Sequence, residues 1–249
     1  MSITTPPPSA SGARRHVVVA GATGLVGRAL VAALSLRHDV RVAALTRAAG
    51  RAPLPAEVEE AVFDYDDDES YRRIGRELPC DVLYCCLGTT RRVAGSDEAF
   101  RRVDLEYPRR LFARAAALVQ RPVVGLVSSL GADQPRGLYL ETKAEAEAAL
   151  LETRLPHVIV RPSLLLGERP ELRPAERAAQ LVFGPLGRLV RVVAPKSALL
   201  RYAPIEAGRV AAALVHFTLD RPGRAAYAIE GPGLFDPAAF VPPARPSGG

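Results

Sequence analysis

Short runs of apolar, β-branched residues recur along this chain. They alternate with longer stretches whose apolar positions repeat at helical spacing. The runs Val17–Ala20, Val40–Leu45, Val58–Phe63, Val82–Cys86, Val123–Ser128 and Val158–Arg161 are largely continuous rather than alternating. That is the pattern of strands buried on both faces of a parallel sheet. Between them the spacing predicts helices over Leu25–Leu36, Glu69–Glu77, Glu98–Val119 and Leu140–Thr153. The alternation predicts an α/β fold, a doubly wound parallel sheet with helices on both faces and ligand bound at the carboxyl ends of the strands. After Arg161 the pattern loosens. Helices are expected near Ala175–Leu181 and Glu206–Leu219 and a late strand over Tyr227–Glu230, with residues 163–235 forming a small C-terminal cap on the substrate side. The stretches 1–14 and 236–249, rich in Pro, Ser, Ala and Gly, are expected to be disordered tails. Residues 15–235 then form one domain.

Composition narrows the function. The chain has 249 residues, 48% of them hydrophobic, ample for one core. No apolar run approaches the roughly eighteen residues of a membrane span. The start, Met1-Ser-Ile-Thr-Thr-Pro-Pro-Pro8, lacks the basic-then-apolar order of a secretory signal. A cytoplasmic protein with no membrane partner is expected. The net charge of +6 comes almost wholly from scattered arginines. The densest, Arg101-Arg102 and Arg109-Arg110, lie among Asp97, Glu98, Asp104 and Glu106. That reads as an ion-paired helix face rather than a nucleic-acid surface. The three cysteines, Cys80, Cys85 and Cys86, surround one strand without metal-ligand spacing, so no metal is expected. They read as core residues, with a redox role for Cys85-Cys86 as the lesser alternative.

The first strand runs straight into Gly21-Ala-Thr-Gly24-Leu-Val-Gly27. The first glycine permits a tight turn, the second lets backbone approach a pyrophosphate, and the third packs the helix close to the sheet. The following helix N-terminus offers free N–H groups and partial positive charge. Gly21, Thr23, Gly24, Leu25, Val26 and Gly27 are therefore the candidate phosphate cradle of a dinucleotide. At the end of the second strand an acid would bind the ribose of NAD. The chain has Thr46-Arg47 there, with Arg51 behind and no acid between Val40 and Pro55. Arginine suits a 2′-phosphate, so NADP(H) is expected over NAD(H). Asp64, closing the third strand, is placed to bind the adenine or to cap the turn Asp66-Asp-Asp68. Leu87-Gly88-Thr89 follows the fourth strand, where a loop would lie along the ribose and pyrophosphate. Pro162-Ser163-Leu164 follows the sixth, where backbone groups would meet the nicotinamide amide.

Tyr139 and Lys143 are four residues apart, one helical turn, and a serine pair, Ser128-Ser129, ends the strand just upstream. A phenol near its ordinary pKa of about 10 is a poor base at neutral pH. A lysine on the same helix face stabilises its phenolate and can also hold the nicotinamide ribose. A serine hydroxyl can polarise the substrate oxygen. With seven tyrosines and two lysines in the chain, only about 0.06 such Tyr-x-x-x-Lys pairs are expected by chance. Ser129, Tyr139 and Lys143 are the candidate catalytic set. Ser129 is preferred because it is nearer the strand's carboxyl end, with Ser128 the alternative.

These residues resemble a short-chain dehydrogenase/reductase of the atypical branch, and within it the Tat-interacting-protein oxidoreductase family. The likeness lies in Cys85-Cys-Leu-Gly-Thr-Thr-Arg91, Val127-Ser-Ser-Leu-Gly-Ala-Asp133, Leu138-Tyr-Leu-Glu-Thr-Lys143 with Ala144-Glu-Ala-Glu147, and Arg161-Pro-Ser-Leu-Leu-Leu-Gly167. The resemblance, over residues 16 to 220, implies a Rossmann fold that binds NADP(H) and carries Ser129, Tyr139 and Lys143 as its Ser-Tyr-Lys set. Two strings depart from the broader superfamily. Leu87-Gly88-Thr89 stands where an Asn-Ala-Gly string is common, and Val103-Asp104-Leu105 stands where many relatives carry a relay asparagine.

The function expected is hydride transfer between NADP(H) and a carbonyl or alcohol, with Tyr139 as acid and base and a small-molecule substrate. An NADP(H)-sensing regulatory binding protein is the alternative, motivated by the missing asparagine and by non-enzymatic members of the family. A nucleotide-sugar epimerase or dehydratase ranks third. Homodimerisation or a regulatory protein partner remains open.

Overall fold

The computed structural model describes residues 14–50, 53–166, 202–221 and 226–237. Arg51, the helix expected at Ala175–Leu181, most of the expected cap and nearly all of both expected tails lie outside these residues.

Six strands appear where the apolar runs predict them: β1 (Arg15–Ala20), β2 (Val40–Thr46), β3 (Val58–Val62), β4 (Val82–Cys85), β5 (Val123–Val127) and β6 (His157–Arg161). A two-stranded parallel pair, β7 (Leu165–Leu166) and β8 (Ile205–Glu206), follows, and then β9 (Ala226–Glu230). The main sheet has seven parallel strands in the order β3-β2-β1-β4-β5-β6-β9. The order reverses between β1 and β4, which opens a crevice at their carboxyl ends, where α/β sheets bind ligand.

The helices are α1 (Leu25–Ser35), α2 (Asp68–Arg73), α3 (Arg91–Ala94), α4 (Asp97–Arg101), α5 (Tyr107–Ala116), α6 (Gly137–Glu152), α7 (Ala207–Val215) and α8 (Pro232–Phe235). Alternate strand residues feed two apolar layers. Val17, Val19 and Val42 pack with Leu30 and Leu34 of α1 and Val210 and Leu214 of α7. Val18, Ala20 and Leu83 face the other way, toward Leu111 and Phe112 of α5 and Leu150 of α6. Burying side chains of this size contributes about 1.5–3 kcal/mol each, which is why uninterrupted apolar strands specify a two-sided layer.

The structure corrects three expectations. Residues 205–221 and 226–235, expected within a substrate-side cap, instead help build the main body: β9 pairs with β6, α7 packs against α1, and Ile205, Phe217, Ile229 and Leu234 are buried. The helix expected over Glu69–Glu77 stops at Arg73. Gly75 turns back there with φ of +87°, where a Cβ would strike Leu118. The helix expected over Glu98–Val119 is broken into α4, a π-helical turn over Arg102–Glu106, and α5. The π-turn has a local cause. Pro108 has no N–H to offer the Asp104 carbonyl, and its ring crowds that oxygen. The Tyr107 amide bonds instead to Arg102 O, five residues back.

Candidate functional site

The crevice begins with the glycine turn. Gly21 has φ of +78°, and a Cβ there would meet the backbone of Cys86 at 2.6 Å. The turn therefore rests directly on the end of β4. A Cβ at Gly27 would come within 2.0 Å of the Gly21 carbonyl oxygen, so α1 approaches the turn as closely as backbone allows. Gly24 is the helix N-cap, with no side-chain cap and no acid in the first turn of α1. Thr23 and Gly24 are exposed, Leu25 is partly so, and Val26 turns into the core. An exposed, uncapped helix N-terminus behind a glycine turn suits a diphosphate.

At the end of β2, Arg47 is exposed and has no hydrogen bond or ion pair among the described residues. Its loop is pinned by Glu60 of β3, which accepts from Thr46 Oγ1 at 3.0 Å and from the Gly50 amide at 2.9 Å. Asp64 is exposed, and its Oδ1 accepts from the Asp66 amide at 2.9 Å, so it does cap the acidic turn. This loop is clamped from α5. The Tyr107 ring stacks on Tyr65 at 5.2 Å and its hydroxyl donates to Asp66, while Arg110 reaches the Tyr65 carbonyl and covers the Tyr71 ring. Sequence reasoning missed this clamp, because aromatic and arginine positions on a helix carry no sign of a partner some forty residues away.

The loop after β4 leads to the catalytic candidates. Leu87 and Thr89 are partly buried and Gly88 is exposed. The Thr89 amide donates to Asp104 Oδ2 at 2.8 Å. Asp104 Oδ1 lies 2.7 Å from Lys143 Nζ, with both side chains buried. The string that departs from the broader superfamily thus holds a carboxylate in contact with the candidate lysine. Burial pulls the Lys143 pKa down, but the Asp104 carboxylate, with lesser help from Tyr139 and Cys85, outweighs it and leaves the value raised. Tyr139 is in the first turn of α6, which begins three residues earlier than expected. It is 44% exposed, open to a substrate, and its ring lies 6.0 Å from that of buried Phe100.

The two serines have different surroundings. Ser128 is buried and its hydroxyl donates to Glu147 Oε1. Glu147 in turn is held by Arg161 through bonds of 2.9 and 2.6 Å. Ser129 is partly exposed, and among the described residues its hydroxyl makes only a 3.5 Å contact, to the Leu130 carbonyl. Ser128 is thus committed to the frame, and the Ser129 hydroxyl takes no part in that network. The Leu130 amide donates to the Pro162 carbonyl at 2.9 Å, tying the serine loop to the loop after β6. Pro162 is buried, the Ser163 hydroxyl donates to the Ala203 carbonyl, and Leu164 is exposed. The cysteines are packed groups. Burial pushes the Cys85 thiol up to about 11 and Cys86 higher still. As strand neighbours they point to opposite faces, which excludes a bond between them. Among the described residues no group of three or more His, Cys, Asp or Glu could hold a metal ion.

A seven-stranded parallel sheet, a glycine turn against its switch point and a Tyr-Lys pair on the sixth helix define a nicotinamide-dinucleotide-binding protein of the short-chain dehydrogenase/reductase type. The family model described as NAD(P)H-binding matches residues 21–182. Protein HTATIP2 of Rattus norvegicus is 34% identical over 183 residues, covering 69% of this chain and 72% of that protein. The protein FMP52 of Lodderomyces elongisporus is 31% identical over 181 residues, covering 68% and 75%. The chain belongs to the atypical short-chain dehydrogenase/reductase family that contains HTATIP2 and FMP52. Among solved structures, the Bordetella bronchiseptica enzyme WbmF in complex with NAD+ is 17% identical, with a TM-score of 0.63 over 88% of this chain and 73% of that one. UDP-glucuronic acid 4-epimerase from Bacillus cereus is 14% identical, with a TM-score of 0.62 over 86% and 77%. These two likenesses show the fold alone.

One expectation is overturned. The FMP52 relatives are named mitochondrial proteins, which points away from the cytoplasm. Among the described residues no helix is long and apolar enough to cross a membrane.

Proposed function

We propose that this protein is an NADP(H)-dependent oxidoreductase that reduces a small carbonyl compound, or oxidises the matching alcohol, with Tyr139 as acid and base. The observation that carries the reading is the Asp104–Lys143 ion pair at 2.7 Å. It keeps a buried ammonium charged one helical turn from an exposed tyrosine. The bound dinucleotide supplies or accepts the hydride. In reduction the Tyr139 hydroxyl donates its proton to the carbonyl oxygen as negative charge develops there. Lys143 stabilises the resulting phenolate, and Ser129 donates a hydrogen bond to the same substrate oxygen. The carbonyl is thereby reduced to the alcohol, gaining the hydride at carbon and the Tyr139 proton at oxygen. The exposed Arg47 supports NADP(H) over NAD(H), since a guanidinium forms charge-assisted bonds to a 2′-phosphate.

The test is NADPH oxidation across a panel of aldehydes and ketones, run with wild type and Tyr139→Phe. Turnover in wild type that vanishes in a variant still binding NADPH supports the proposal. Equal turnover in both refutes it. NADPH binding without turnover on any carbonyl moves the reading to a cofactor-sensing protein.

A further inference from the structure

A buried lysine that lacks a counter-charge loses its proton, because burial penalises the charged form. Lys143 is 6% exposed. The titratable groups facing its ammonium are Asp104 from the π-turn, Tyr139 from its own helix, Cys85 at the end of β4 and Cys86 just beyond it. Of these, only Asp104 is a carboxylate, and it stands in direct contact. Its placement comes from the π-turn over Arg102–Glu106, since a wider turn re-aims side chains relative to a regular helix. The same carboxylate accepts the Thr89 amide, and a Cβ on Gly88 would lie 3.5 Å from Asp104 Oδ1 and 3.6 Å from Lys143 Nζ. The cofactor-side loop therefore rests on the ion pair itself.

We propose that Asp104 is a positioning residue with two tasks: one oxygen holds Lys143 charged and in place, and the other fixes the Thr89 amide of the cofactor loop. The inference rests on the oxidoreductase reading for its consequence in catalysis, but its physical content is independent of turnover. One carboxylate links the two halves of the site, so its charge governs the lysine and its acceptor oxygen governs the loop. Asp104→Asn separates the tasks. It keeps the shape and an acceptor for the Thr89 amide and removes the counter-charge.

The chain has only two lysines, Lys143 and Lys196. Protein labelled with 13C at lysine Cε therefore gives two lysine signals, assigned with Lys196→Arg, and its NMR titration reports the ionisation of Lys143 directly. In wild type the Lys143 signal stays in its charged position beyond the ordinary value of about 10.4. In folded Asp104→Asn its midpoint falls by at least about one pH unit, a tenfold loss of proton affinity. In the same variant the alkaline limb of kcat moves down by the same amount, while NADPH affinity changes less than in Asp104→Leu, which also loses the acceptor. A folded Asp104→Asn whose Lys143 midpoint is unmoved overturns the proposal. If no carbonyl is ever turned over, the NMR midpoint still decides the role of Asp104, and only the oxidoreductase reading falls.

Discussion

The Ser128 hydroxyl donates to the carboxylate of Glu147, and through Glu147 it is joined to Arg161 at the end of the neighbouring strand. Ser129, one residue on, takes no part in that network. The two serines should therefore fail in different ways. Ser129→Ala is expected to lower kcat by about 10²- to 10³-fold, the cost of losing a donor to the developing oxyanion, with thermal stability unchanged. Ser128→Ala removes a donor from a buried carboxylate, costing about 1–3 kcal/mol of stability. Steady-state kinetics and denaturant melts on both variants check this. Equal kcat losses in the two would contradict the assignment.

Arg47 is exposed and its side chain makes no hydrogen bond or ion pair among the described residues. If it binds the 2′-phosphate, Arg47→Ala forfeits a hydrogen bond to a charged group, about 1.5–3 kcal/mol, or roughly 10- to 150-fold in affinity for NADPH. NADH has no phosphate there, and its affinity should barely move. Competitive binding of the two cofactors to the variant decides it.

The contact between Gly27 and the Gly21 carbonyl leaves no space for a methyl group, and the opposing atom is backbone rather than a flexible side chain. Gly27→Ala should push α1 off the turn, costing about 1–3 kcal/mol in stability and most of the NADPH affinity. A melt and a binding curve on the same preparation would show both losses together.

Alkaline stability reports the Asp104–Lys143 pair. The folded-state pKa of Lys143 is raised, so the stability it contributes is fully present below the unfolded value of about 10.4 and is lost as pH rises through the folded value. In Asp104→Asn burial dominates and the folded value lies below the unfolded one. The unfolded state then holds more protons in that window, and the Lys143 contribution to stability rises with pH. Denaturant midpoints measured from neutral pH to about pH 11 should therefore diverge in slope between wild type and variant. Parallel curves would count against the ion pair.

The fold was legible because parallel strands buried on both faces read as unbroken apolar runs, and Val17–Ala20, Val40–Leu45 and Val123–Ser128 needed no long-range information. The glycine turn was legible for a related reason, since its spacing is a local backbone requirement. The π-turn was not. The helical period runs through Glu98–Val119 without a break, and only Pro108 hints that the hydrogen-bond ladder must shift. The sequence pattern accordingly presents Asp104 as a surface acid beside arginines and as a departure from the broader superfamily, whereas it is buried against Lys143. The role of residues 226–230 was hidden likewise: pairing of β9 with β6 joins residues some seventy positions apart, which no local pattern encodes.

The most direct test of the account is calorimetric titration of the purified protein with NADPH and, in parallel, with NADH. The glycine turn, the uncapped start of α1 and the exposed Arg47 together predict saturable NADPH binding at least about tenfold tighter than NADH. Binding of neither cofactor, or NADH binding as tightly as NADPH, would contradict it.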